Sequence, residues 1–226
     1  MNFPSFKEFT ILQEVTEQMY QEGINESDSS QSSSIPKKTV KAYKLFRTTK
    51  SQPGKIFPLF VHANKPVPIG QWIDAEMGEL TDKGKVKSKL GPLAFRPGWH
   101  SGNVPVATHI GGRSHKSPKL PPDYRPDEHV WAEVEIPADV DWQKVALERA
   151  RKSKSGKIVA NTAHITDQLP KGGHYSYKTN PSMTGEWLIS GSMKVNRILS
   201  DEEVEEINKK HGVADLPRLH KLKSHS

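Results

Sequence analysis

"HVWAEVEI", residues 129–136, is the stretch that most narrows what this chain can fold into. Val130, Ala132, Val134 and Ile136 fall on one side of a two-residue period, Trp131, Glu133 and Glu135 on the other. An extended backbone points successive side chains to opposite faces, so the pattern predicts a strand with one face in a core. Such a strand needs neighbours, and the sequence supplies them. "VKAYKLFR" (40–47) alternates so that Tyr43, Leu45 and Arg47 share a face. "KIFPLFV" (55–61) reads as a further strand, with Pro58 placing it at an edge or a bulge. "GPLAFRPGWH" (91–100) holds a short strand broken at Pro97-Gly98, and "HYSYKTN" (174–180) another. "TGEWLISGSMKVNRIL" (184–199) reads as a hairpin turning at Ser190-Gly191-Ser192, with Glu186 at its mouth.

Helical signals lie between and around these strands. Ser5 and Glu8 form a capping-box pattern ahead of Phe9, Leu12, Val15 and Met19 at helical spacing, with Gly23 as a stop. The Ser-rich "NESDSSQSSSIPKK" that follows reads as a flexible linker. Asn103 and Pro105 suit the start of a short helix over "NVPVATHI". Asp141 is placed to cap a helix through Lys144, Leu147 and Arg151, and Ser200 with Glu203 caps one ending near Gly212. The expected fold class is α+β: a mainly antiparallel sheet, peripheral helices and a tethered N-terminal helix. The expected divisions are 1–38 (helix and linker), 39–212 (the α+β body) and 213–226 (a basic tail).

Composition excludes several functions. With no cysteine among 226 residues there is no disulfide and no thiolate metal site. Ten histidines are present, but His100, His109 and His115 do not match a helical ligand pair, so no metal is expected. No apolar run approaches the roughly 20 residues that span a bilayer. Together with an N-terminus unlike a signal peptide, this predicts a soluble protein of a reducing compartment, the cytoplasm. No Gly-x-Ser-x-Gly, phosphate-binding glycine loop or dinucleotide fingerprint occurs. The net charge of +7 favours polyanionic partners, and the basic residues cluster at 83–89, 149–157 and 218–223.

A few residues stand out as candidates. Arg47, at the end of its strand, either binds a phosphate or leaves the core for solvent. Trp99, His100 and Ser101 follow a sharp break that can lift side chains toward a ligand, or can be a structural turn. Glu133 and Glu135 share a strand face, which suits acid–base chemistry and equally the polar side of a half-buried strand.

Taken in order, "YKLFR", "PGWHSGNVPVA" and "GEWLISGSMKVNRI" resemble the ADP-ribosyltransferase-like superfamily. The resemblance rests on these three places. It implies a split-sheet fold in which Arg47 holds NAD, His100 lies in the Gly-aromatic-His break and Glu186 is the catalytic carboxylate. Trp99 or Tyr177 would then stack on the nicotinamide, with Ser101 or Thr108 in place of the missing Ser-Thr-Ser triplet. The only Glu-x-Glu, at Glu133 and Glu135, lies far ahead of the hairpin. The chain is also similar in style to modules of phage and mobile-element polypeptides, which would place it in a host cytoplasm or a virion. The implied activity is transfer of ADP-ribose from NAD, as substrate, to a protein or nucleic-acid acceptor. Two other readings stand beside it: a catalytically silent module that holds nucleic acid or a partner, and a phage structural protein anchored through the N-terminal helix.

Overall fold

The computed structural model describes residues 35–89, 91–113, 123–150, 154–155, 165–178 and 183–223. The expected N-terminal helix, and the linker up to residue 34, lie outside the described residues. From residue 35 onward the chain forms one compact unit. Its strands are β1 (Thr39–Arg47), β2 (Trp72–Asp74), β3 (Trp99–Gly102), β4 (Gly112–Arg113) and β5 (Asp123–Tyr124). Then come β6 (His129–Pro137), β7 (Val140–Asp141), β8 (Gly173–Tyr177), β9 (Trp187–Ser190) and β10 (Ser192–Ile198). Among the described residues three helices accompany them: α1 (Gln143–Arg149), α2 (Asp201–Lys210) and α3 (Leu219–Lys223).

Eight strands form one sheet in the order β2-β10-β6-β1-β3-β9-β8-β7, while β4 and β5 pair separately. Within the sheet only the outermost strand pair, β7 with β8, is parallel. The architecture is therefore α+β with a mostly antiparallel sheet. The alternating stretch 129–136 is the spine, as its pattern requires. It pairs with β1 along nine positions, Thr39↔Pro137 through Arg47↔His129. Ala132, Val134 and Ile136 join Ala42, Phe46, Met193 and Val195 in the main core.

The sheet is nearly two. β1 and β3 share a single paired position, Tyr43↔Gly102, and this one rung joins a half made of β2, β10, β6 and β1 to a half made of β3, β9, β8 and β7. Covalent connections join the halves too: β6 passes to β7 through Ala138 and Asp139, and the passage from β9 to β10 corrects the expected hairpin. β9 pairs with β3 and β8, whereas β10 pairs with β6 and β2; the two never pair with each other. Following the antiparallel ladders, both run parallel to β1, so the chain passes straight from one half-sheet to the other. One residue cannot reverse an extended chain. Gly191 is the crossing point: its N–H donates to Gly173 O (3.0 Å) in one half, and its carbonyl accepts from Ala75 N (2.8 Å) beside the other. A Cβ there would lie 2.0 Å from Pro170 O, so glycine serves close backbone approach rather than a turn.

Other expectations need correction. Residues 55–61 form no strand; only Ile56 and Phe57 make isolated bridges, and Pro58, which lacks an N–H, stops the ladder. Residues 91–96 contribute only the Leu93 bridge, and the strand begins after the break, at Trp99. No helix forms over 103–110. Asn103 instead clamps the start of β9, its Oδ1 accepting from Glu186 N (2.8 Å) and its N–H donating to Glu186 O (3.1 Å). Asp141 lies in β7, and Trp142 takes the cap position of α1, although Asp141 Oδ1 still accepts from Gln143 N (2.9 Å). The predicted box at Ser200 and Glu203 is present, with Gly212 at φ +66° just past the helix.

The described part of the segment after Gly212, read as a basic tail, is docked. Asp215 sits against the buried guanidinium of Arg125, its Oδ1 2.7 Å from Nη2, and accepts from Trp131 Nε1 (2.8 Å). Arg125 also donates to the carbonyls of Ala107 and Ile110. A desolvated guanidinium needs that full set of acceptors, so the segment is pinned at its one buried charge.

Candidate functional site

The site is where the two halves part. Tyr43, Gly102 and Trp187 form one row across β1, β3 and β9. From that row toward Arg47 and Trp99 the strands β1 and β3 diverge without another rung, and the opening continues into a cavity of about 600 Å³. Its lining includes side chains from β1 and β3, Tyr177, Trp187 and the long connection between β1 and β3. Gly98 makes the entry to β3 possible. Its φ is +126°, and a Cβ would meet Ile189 Cγ2 at 2.4 Å, so only glycine lets the chain swing into register against β9.

Lys44 spans the gap. Its Nζ donates to His100 O at 2.6 Å and lies 5.3 Å from the Trp99 ring and 5.7 Å from the Phe46 ring. The ammonium thus supplies a hydrogen bond across strands whose backbones have separated. Burial lowers its pKa to about 8, because the charged form loses hydration. Its remaining exposure is to the cavity that it lines. His100 presents Nε2 to Arg96 O (3.0 Å), which fixes the proton on Nε2 of the neutral ring. Burial pushes the His100 pKa down to about 4; the Arg96 carbonyl opposes the shift, and the positive charges of Lys44 and Arg96 add to it. At neutral pH His100 is therefore an uncharged donor. Ser101 is buried and donates from Oγ to Leu188 O (3.4 Å). Burial raises the Tyr177 pKa, and the nearby Arg96 guanidinium holds the rise back. Trp187 meets His109 edge to face, with ring centroids 5.2 Å apart.

Of the residues expected from sequence, Trp99, His100, Ser101 and Tyr177 come together on this cavity. Arg47 and Glu186 do not line it. Arg47 donates to Ala63 O (2.9 Å), lies 5.5 Å from the Phe57 ring and leaves its buried Nε without a partner. β1 and β9 run the same way, and Arg47 ends one while Glu186 precedes the other. Arg47 is four residues past the Tyr43–Gly102–Trp187 row and Glu186 one residue before it, a separation of roughly 16 Å along the strands. The Glu186 side chain, half-buried beside Trp187, makes no hydrogen bond or ion pair among the described residues. Thr108 is exposed.

Glu133 and Glu135 belong to the polar face of β6. Glu133 lies 3.5 Å from Lys41 and 3.6 Å from Arg197; Glu135 pairs with Lys194 (2.8 Å) and accepts from Asn196 (3.1 Å). The hydrogen bond from Lys194 holds the Glu135 pKa below the usual range. Both carboxylates are spent on neighbours. No group of three metal-ligating side chains occurs among the described residues.

Lys44, Arg96, Trp187 and His62 are among the lining residues that the sequence reading did not single out. Lys44 was legible: in "KAYKLFR" it shares its strand face with Ala42 and Phe46, so a charge was due on the apolar side. Arg96, Trp187 and His62 reach the cavity through tertiary placement, and no local pattern marks them. His62 adopts φ +52°, uncommon for a side chain with a Cβ, and its Nε2 lies 3.3 Å from Met77 O at the mouth. Also at the mouth, Lys65 pairs with Glu76 and Lys171 with Asp74 (2.7 Å).

No protein-family model matches the chain, and neither the curated proteins nor the solved structures contain a significant match.

Proposed function

We propose that the protein binds NAD in the opening between the two half-sheets and transfers ADP-ribose to a macromolecular acceptor, a protein or a nucleic acid. One observation carries this reading. Trp99, His100, Ser101 and Tyr177, picked from sequence, line one cavity of about 600 Å³ at the division of a split sheet. A pocket with aromatic walls and few polar groups suits a planar heterocycle joined to a polar chain. The rings of Trp99, Tyr177 and Trp187 offer faces or edges to the nicotinamide and adenine. The polar groups offered to the ligand's middle are Lys44, Arg96 and the neutral His100.

Chemistry on NAD then needs one carboxylate at the ribose. Breaking the glycosidic bond sends its electron pair to the nicotinamide nitrogen, which leaves neutral, while the ribose carbon takes on oxocarbenium character. The acceptor's nucleophile bonds to that carbon and gives up its proton. Glu186 does not itself line the cavity, but it adjoins Trp187, which does, and it is free of salt bridges among the described residues; it is the candidate to stabilise the positive ribose. Arg47 has no part in this version of the site, because it does not line the cavity and its guanidinium is bonded to Ala63 O.

That separation favours a second reading, in which the cleft binds a nucleotide and does not cleave it. Turnover of NAD by the full chain, with and without protein and nucleic-acid acceptors, decides between them. Glu186→Gln is expected to lower turnover roughly 100- to 1000-fold. Tight binding without turnover would establish the silent module. Full activity in Glu186→Gln would remove that residue from the chemistry, and no binding at all would overturn the NAD assignment.

A further inference from the structure

The cations that face the cleft are unequally compensated. At the mouth, the two carboxylates of the lining, Asp74 and Glu76, are each paired with a lysine. Deeper in, Lys44 and Arg96 also face the cavity, and neither has an ion-pair partner among the described residues. Lys44 spends one of its three N–H donors on His100 O, and Arg96 leaves Nε buried without an acceptor. His100 ties the two segments together: its carbonyl accepts from Lys44, its Nε2 donates to the Arg96 backbone carbonyl, and the Arg96 side chain itself hydrogen-bonds Tyr177. Removing two such charges from water without an anion is costly, and a protein ordinarily supplies a carboxylate. Here both lining carboxylates are paired with other lysines.

We propose that Lys44 and Arg96, one on each side of His100, form the anion subsite of the cleft and take a phosphate or diphosphate group of the ligand. The terminal nitrogens of Arg96 and the point charge of Lys44 would share the oxygens of one diphosphate. The neutral ring of His100 adds no third charge; its Nε2 bond to the Arg96 carbonyl fixes the backbone that carries the Arg96 side chain and the carbonyl that Lys44 uses. The choice of a diphosphate rests on the NAD reading; the presence of an anion site does not.

Tryptophan fluorescence reports the site directly, since the Trp99 ring lies 5.3 Å from Lys44 Nζ. The full chain is titrated with inorganic pyrophosphate, NAD and nicotinamide, as wild type, Lys44→Met and Arg96→Gln. Circular dichroism verifies that each variant is folded, and Arg96→Gln leaves the Lys44 bond to His100 intact should Lys44→Met unfold. Each substitution is expected to weaken pyrophosphate and NAD at least tenfold and to leave nicotinamide binding unchanged. Pyrophosphate binding without NAD binding would keep the anion site and overturn the NAD reading. NAD binding that is equal in wild type and folded variants would keep the NAD reading and overturn the anion site. Failure of wild type to bind pyrophosphate or NAD would overturn both.

Discussion

Replacing Lys44 by Met tests whether a charge is held in the cleft at the expense of stability. Met keeps the length and the apolar stem of lysine between the Phe46 and Trp99 rings but removes the ammonium. The pKa of Lys44 falls from 10.5 to about 8 because burial strips hydration from the charged form. That fall corresponds to about 3 kcal/mol disfavouring the ammonium in the folded state. Against this, the substitution leaves His100 O without its donor, at a cost of about 1–3 kcal/mol. At pH 7 the two effects nearly cancel, and Lys44→Met should range from unchanged to about 2 kcal/mol more stable. The pH dependence is sharper. Between pH 8 and 10.5 the unfolded chain still holds the proton that the folded chain has released. Wild-type stability attributable to Lys44 therefore rises with pH across that window, by about 3 kcal/mol in total. The variant lacks this rise. Urea unfolding of both proteins at pH 7, 8, 9 and 10 isolates the effect, because other titrating groups cancel in the difference. A difference that does not change with pH would show that Lys44 is hydrated like a surface lysine. Destabilisation of the variant by more than about 3 kcal/mol at pH 7 would show that the bridge to His100 O dominates.

Two further substitutions probe the frame that holds the cleft. Gly191→Ala places a Cβ 2.0 Å from Pro170 O and is expected to cost about 3 kcal/mol or more in urea unfolding; a cost below about 1 kcal/mol would mean that the segment turns as an ordinary hairpin. Asp215→Ala leaves the Arg125 guanidinium buried without its carboxylate and should cost about 3–5 kcal/mol; a loss under about 1 kcal/mol would show that water replaces the carboxylate and that the docked segment is dispensable.

The sequence by itself determined the strands that alternate and the helix that is capped. Residues 129–136 are legible because one face is apolar and period two leaves little choice of conformation; 40–47 reads as a strand as well, although it buries apolar side chains on both faces, Ala42 and Phe46 on one and Tyr43 and Leu45 on the other. Ser200 and Glu203 are legible because the capping box is local. Trp99, His100 and Ser101 stood out through the Pro97-Gly98 break and Tyr177 through the family resemblance alone, and all four line the cavity. Tertiary structure alone decided which strands pair. The run Ser190-Gly191-Ser192 looks the same whether the chain reverses or continues, and only the approach of Pro170 O shows why glycine is there. It also decided which end of the sheet each candidate occupies. Strand direction depends on partners far away in sequence, so nothing near Arg47 or Glu186 could show that parallel strands carry them to opposite ends. Lys44 lay between the two regimes. Its charge on an apolar face was written in the sequence, but the reason for it, a gap between β1 and β3 with no carboxylate to answer it, exists only once the halves have separated.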